Sequence, residues 1–200
     1  MREVAPGIYQ WTALHEPIDT RVSSYYIEPA GIVIDPKAPE EGWDALPGRP
    51  QQVVLTSGHH DRDAGECAEA FGGIPIRAST EAAKRLGDTL EVKTFGDDDE
   101  VAPAVTAIHI GVLCDDEGAL YIEAGGGAIA IADGINGYGE TLGFFRDELL
   151  GDNPDQVKAG LKQAYARLLD RDFEHLLFAH GDPVIGDGKA ALEEFVARKG

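Results

Sequence analysis

The chain has 200 residues, with 17 Lys and Arg against 36 Asp and Glu, for a formal charge of -19. That balance argues against nucleic acid and anionic membrane as partners, because both are held by clustered Lys and Arg. A hydrophobic share of 43% suits a soluble globular chain, and 200 residues suffice for one domain, 1–200, with a substantial core.

No apolar run approaches the length that spans a bilayer. The opening MREVAPGIYQW lacks the apolar centre of a signal peptide, so the expected compartment is the cytoplasm. Cys67 and Cys114 match no zinc spacing and read as reduced, mostly buried thiols.

Residues 7–14 and 21–27 carry the β-branched and aromatic patterning of strands, and residues 31–35 (GIVID) form a third. The close spacing of these runs predicts antiparallel hairpins before any helix. Residues 39–46 are a short, possible helical link. Residues 53–56 are the next strand, followed by a helix over 64–71 that Gly72-Gly73 stops. A strand over 74–78 and a helix through Leu86, capped by Ser79, complete a β-α-β-α section with a partly parallel sheet. The acidic run 97–100 reads as a solvated loop. Strands are expected at 91–95, 105–110, 118–122 and 128–132, with a hairpin turn at Gly125-Gly126-Gly127. Residues 154–169 form the strongest helix, with Val157, Leu161, Ala164, Tyr165 and Leu168 on one stripe. A buried strand at 175–179 and an amphipathic helix at 189–198 close the chain.

Three of these strands end on chemically related residues. The run VVLT leads to His59 and Asp61, AIAIA ends on Asp133, and LLFA ends on His180. Side by side, such strands deliver two imidazoles and two carboxylates to one sheet edge. That set suits zinc, manganese or iron.

The element order and these strand ends resemble the metallo-β-lactamase fold superfamily across nearly the whole chain. The resemblance rests on IVIDP, VVLTSGHHDRDAGECAEAF, AIAIADGI and LLFAHGDPV. It implies an α/β (α+β) chain folded as a four-layer αββα sandwich. Members hydrolyse esters, thioesters, lactones, amides or phosphodiesters with one or two metal ions. The family motif HxHxDH falls on residues 57–62, so its first His is Ser57, its second is kept as His59, its Asp is kept as Asp61, and its last His is Arg62. The next family His aligns with Leu113. The bridging Asp matches Asp133 and the last His matches His180.

The resemblance therefore implies a reduced metal site made of His59, Asp61, Asp133 and His180. Asp61 would orient a water, and His180 would hold the metal or pass a proton. Ser57, His60 and Arg62 would line the same cleft. Ser57 reads as a small filler, His60 as the motif's variable position, structural or exposed, and Asp63 as the cap of the following helix. The expected function is a hydrolase of a small-molecule ester, thioester or lactone with one divalent transition metal (Zn, Mn or Fe). The alternative is a non-catalytic, metal-free member whose cleft binds a small molecule or partner. There Arg62 would replace the metal charge by pairing with Asp61 or Asp133. A metal-free enzyme using His59 or His180 as base is a third reading. Loops at 15–20, 35–50 and 134–152 are expected around the cleft.

Overall fold

The computed structural model describes residues 1–198. Seven strands lie in sequence order in the first sheet: β1 (Arg2–Ala5), β2 (Ile8–His15), β3 (Thr20–Ile27), β4 (Ile32–Ile34), β5 (Gln52–Val54), β6 (Ile76–Ser79) and β7 (Lys93–Phe95). Strands β1 to β4 pair antiparallel and β4 to β7 pair parallel. The switch follows from the connections, because helices α1 (Ala64–Ala70) and α2 (Thr80–Leu86) carry the chain back between parallel neighbours.

The second sheet holds β8 (Glu100–Ala102), β9 (Val105–His109), β10 (Gly118–Ile122), β11 (Ala128–Ile131) and β12 (His175–Phe178), in the order β12-β11-β10-β9-β8. Helix α3 (Pro154–Ala166) lies in the long connection that makes β11 and β12 parallel, and α4 (Gly188–Ala197) follows β12. Among the described residues, no helix is long and apolar enough to cross a membrane.

Side-chain alternation explains the layers. Ile32 and Ile34 point inward with Ile8, Ile27, Leu120, Ala128 and Ala130, and fill the space between the sheets. Val33, one residue out of phase, joins Val53, Leu55, Ala64, Cys67 and Ala82 under α1 and α2. Ile129 and Ile131 face the other way and pack with Leu161, Tyr165, Leu192 and Phe195 of α3 and α4. Each fully buried Ile or Leu contributes about 1.5–3 kcal/mol. The αββα sandwich expected from the sequence is the observed architecture.

Two strands escaped the sequence reading. β1 is a four-residue edge strand with mostly exposed side chains, and β8 starts inside the acidic run. The Ser79 cap is present: its Oγ accepts the Ala82 N–H at 3.0 Å. Ser79→Ala is expected to cost about 1 kcal/mol, read as a lower denaturant midpoint with an unchanged slope. The cap expected from Asp63 is not made. Its carboxylate instead accepts the Ala38 N–H at 2.7 Å and pairs with Lys37 Nζ at 3.1 Å. The loop after β4 supplies closer donors than the helix end does.

The sheets are tied together where the strands end. Ser23 N–H donates to Ala179 O at 2.8 Å, and Gly118 N–H donates to Thr56 O at 2.9 Å. The buried Tyr25 hydroxyl donates to Phe178 O and accepts Phe178 N–H. These links hold the C-terminal ends of β4 and β5 against those of β11 and β12.

Candidate functional site

Four of these strand ends converge on one group of side chains. Asp35 follows β4 in a left-handed conformation, with φ 47°. It is 3% exposed. It accepts the Thr56 N–H at 2.8 Å and the Thr56 hydroxyl. Its Oδ2 lies 2.9 Å from His60 Nδ1. The other nitrogen of His60, Nε2, lies 3.1 Å from Asp133 Oδ1. His180 Nε2 reaches the same Asp133 oxygen at 3.2 Å. The Tyr138 hydroxyl lies 3.2 Å from His180 Nδ1.

The local sequence explains how each group arrives. A short 3-10 turn, Gly58–His60, follows β5 and drives His60 inward. Asp133 and His180 leave parallel strands whose residues Ile131 and Phe178 are paired in register. The turn after His180 requires glycine twice. Gly181 has φ 87°, and a Cβ there would collide with the Gly137 backbone. A Cβ on Gly137 would collide with Asp182 O. That close approach lets Gly137 N–H donate to His180 O at 3.1 Å.

The electrostatics follow from burial and pairing. Burial opposes the charge on His60, but Asp133 and Asp35 overcome it and push its pKa up to about 9. Burial likewise works against ionised Asp133. The His60 charge and the bonds to His180 and His60 nevertheless hold it well below the usual carboxylate range. Asp35 is lowered in the same way, mainly by the His60 charge acting against its desolvation. Without a metal, His60 is thus an imidazolium clamped between two carboxylates.

The structure gathers the sequence-derived residues into two groups. Asp133 and His180 meet, joined by His60. His59 belongs to a second group with Cys114 and Asp116, whose potential donor atoms all lie within 4.8 Å of one another. Asp61 is exposed, accepts its neighbour Arg62's N–H at 2.9 Å, and joins neither group. Ser57 is buried and is more than filler, since its hydroxyl donates to Asp116 Oδ2 at 3.1 Å.

Two expectations need correction. His60 is neither exposed nor peripheral: it is 3% exposed and central to its group. The 3-10 turn rotates successive side chains by about 120°, which sends His59 and His60 to different walls. Arg62 makes no ion pair with Asp61 or Asp133 among the described residues. Its Nη1 donates to Ser23 O and Asp35 O, each at 2.9 Å. With φ 35° at Arg62, the side chain runs behind the site and bridges backbone.

Asp35, Cys114 and Asp116 were missed as functional candidates. Asp35 had a readable signal, an acid closing an apolar strand just as Asp133 does. Cys114 and Asp116 had none, because only the tertiary fold brings their loop to His59. A cleft of about 1050 Å³ opens over both groups. His59, Cys114, Asp133 and His180 line it, with an apolar rim that includes Ile18, Tyr138 and Phe145. Tyr138 is 57% exposed there.

The donor chemistry fits a divalent transition metal. Two imidazole Nε2 atoms and one carboxylate oxygen converge, as in metal sites with two His and one acid. Each outer Nδ1 has its own partner, Asp35 or Tyr138, the arrangement that fixes the ring of a ligating His.

No protein-family model matches the chain, and no curated protein matches it. Solved structures do. DIM-1 metallo-β-lactamase is 14% identical with a TM-score of 0.73, over 98% of this chain and 94% of that one. A metallo-β-lactamase family protein from Thermus thermophilus is 19% identical with a TM-score of 0.61, over 96% and 78%. A flavo di-iron protein from Thermotoga maritima is 15% identical with a TM-score of 0.64, over 96% and 62%.

Proposed function

We propose that this chain, which has the metallo-β-lactamase fold, is a hydrolase that holds one divalent transition metal at His60, Asp133 and His180 and cleaves a small-molecule ester, thioester or lactone. The observation that carries the reading is the convergence of both Nε2 atoms on Asp133 Oδ1, with each Nδ1 already held. When bound, zinc, manganese or iron supplies Lewis acidity and a water acidified toward neutral pH. The protein's own groups supply position. Asp35 takes the Nδ1 proton of His60 as a hydrogen bond and turns Nε2 toward the cleft. Tyr138 does the same for His180. Ile18, Tyr138, Phe144, Phe145 and Leu149 offer an apolar wall to an acyl or aromatic group. This replaces His59 and Asp61 by His60 in the ligand set that the resemblance implied.

One observation favours a second reading, a metal-free binding cleft. His60 already balances Asp35 and Asp133 at 2.9 and 3.1 Å, so the site is charge-satisfied on its own. Elemental analysis of tag-free protein, before and after loading with zinc, manganese or iron, separates the two. About one equivalent of metal that His180→Ala abolishes, with hydrolysis in an ester, thioester and lactone screen, is expected. No uptake on loading would overturn the hydrolase reading in favour of the metal-free cleft.

A further inference from the structure

The group around His59 stands apart from the His60 site, and nothing argued so far uses it. His59 comes from the turn after β5, whereas Cys114 and Asp116 come from the loop between β9 and β10. Their donor atoms, an imidazole nitrogen, a sulfur and a carboxylate oxygen, lie within 4.8 Å of one another. Metal–ligand bonds of about 2.0–2.3 Å place tetrahedral donors roughly 3.5 Å apart. Side-chain rotation alone closes the remaining gap.

The frame of this group is built. Ser57 Oγ accepts His59 N–H at 3.2 Å and donates to Asp116 Oδ2 at 3.1 Å. Gly58 N–H donates to the same oxygen at 2.7 Å. Arg85 Nε lies 3.1 Å from both Asp116 oxygens, which fixes the carboxylate plane. On the other side, Leu113 N–H donates to the buried Glu117 carboxylate at 3.1 Å and Glu117 N–H donates to Cys114 O at 3.0 Å, pinning the loop that presents Cys114. Asp116 is thus held rigid. The His59 ring and the Cys114 sulfur make no hydrogen bond among the described residues, and both line the cleft.

We infer that His59, Cys114 and Asp116 form a second metal site in the cleft, distinct in chemistry from the first, that takes a thiophilic divalent ion such as zinc or cadmium. The mixed sulfur, nitrogen and oxygen donors select such an ion over magnesium or calcium, which prefer all-oxygen shells. The surroundings favour a cation over a free nucleophile. Asp116, Glu117 and Asp133 face Cys114, and Arg85 is the opposing positive group. A bare thiolate would be repelled there, whereas a divalent ion neutralises both the thiolate and the acids. The site does not depend on metal at His60, Asp133 and His180.

The test uses the full, tag-free chain, stripped with chelator and titrated with cadmium and then cobalt. A near-ultraviolet thiolate-to-metal charge-transfer band is expected to saturate at about one equivalent. Cys67 is fully buried under α1, so Cys67→Ala should leave the band intact. Cys114→Ser should abolish it. His59→Ala should weaken cadmium binding on the order of tenfold or more. His180→Ala should keep the band while losing the other equivalent, so failure of the two sites is told apart. Absence of the band, its survival in Cys114→Ser, or its indifference to His59→Ala would each overturn the inference.

Discussion

His60→Ala is expected to lower the stability of the metal-free protein by about 3–5 kcal/mol at neutral pH, the cost of breaking a buried ion pair from one side. His60 is the only cation within hydrogen-bond distance of the Asp35 carboxylate among the described residues' side chains, at 2.9 Å, and Asp35 is itself 3% exposed. Thr56 would still donate twice to Asp35, and His180 would still reach Asp133, so the lower half of the range is the better expectation. Urea denaturation of chelator-treated protein reads the difference. A loss below about 1 kcal/mol, the scale of an exposed pair, would show that the imidazole carries no charge between the carboxylates.

The same group sets a pH dependence whose sign is fixed by its shift. The folded pKa of His60 is raised from 6.5 to about 9. Its stabilisation is therefore full below pH 6.5 and is lost as pH rises through about 9. Glu117, pushed from 4.5 up to about 7 mainly by burial, acts in the same direction over a lower window. Asp35 and Asp133 are lowered, so their contribution stands above the ordinary carboxylate range and is lost only in stronger acid. Metal-free protein should thus weaken steadily from about pH 4.5 to 9, and His60→Ala should flatten the part above 6.5. Metal uptake should run the opposite way. A proton must leave His60, so affinity should rise about tenfold per pH unit until about pH 9.

The fold was legible because burial and period agree along each strand. Ile32 and Ile34 against Val33, or Ile129 and Ile131 against Ala128 and Ala130, assign opposite faces of a sheet covered on both sides. β1 and β8 were not legible, since three or four residues at a sheet edge carry too little apolar pattern. At the site, Asp133 and His180 could be read because each closes an apolar strand and the two strands pair in parallel. His60 could not be read from motif position. Whether His59 or His60 faces Asp133 depends on the twist of the backbone after Thr56. Ser57 sets that twist by accepting the His59 N–H and starting a tight turn. Cys114 depends on a contact between segments more than fifty residues apart, to which local pattern is blind.

Arg62→His, the change that restores the family's residue at this position, is expected to weaken the protein by about 2–4 kcal/mol and to add no metal. Arg62 does not stand where a ligand would. Its Nη1 donates to Ser23 O on β3 and to Asp35 O beyond β4, each at 2.9 Å, and ties these two segments together. Imidazole is too short to reach both carbonyls and has no forked set of donors. Two charge-assisted hydrogen bonds are lost, and two backbone oxygens are left to water at a half-buried seam. The positive φ at Arg62 persists in the variant, so no strain is relieved. The effect should reach the metal indirectly. Asp35 O is the anchor that Arg62 holds, and Asp35 Oδ2 is what aims His60. Loosening this support should lower affinity for a metal at His60, Asp133 and His180 about 10- to 100-fold, the usual scale for a lost outer partner of a ligating His. Calorimetric titration of wild type and variant with zinc decides the matter. Tighter binding or an added equivalent in Arg62→His would place the guanidinium inside the metal site after all. Weaker binding at unchanged stoichiometry would identify it as the strut behind Asp35.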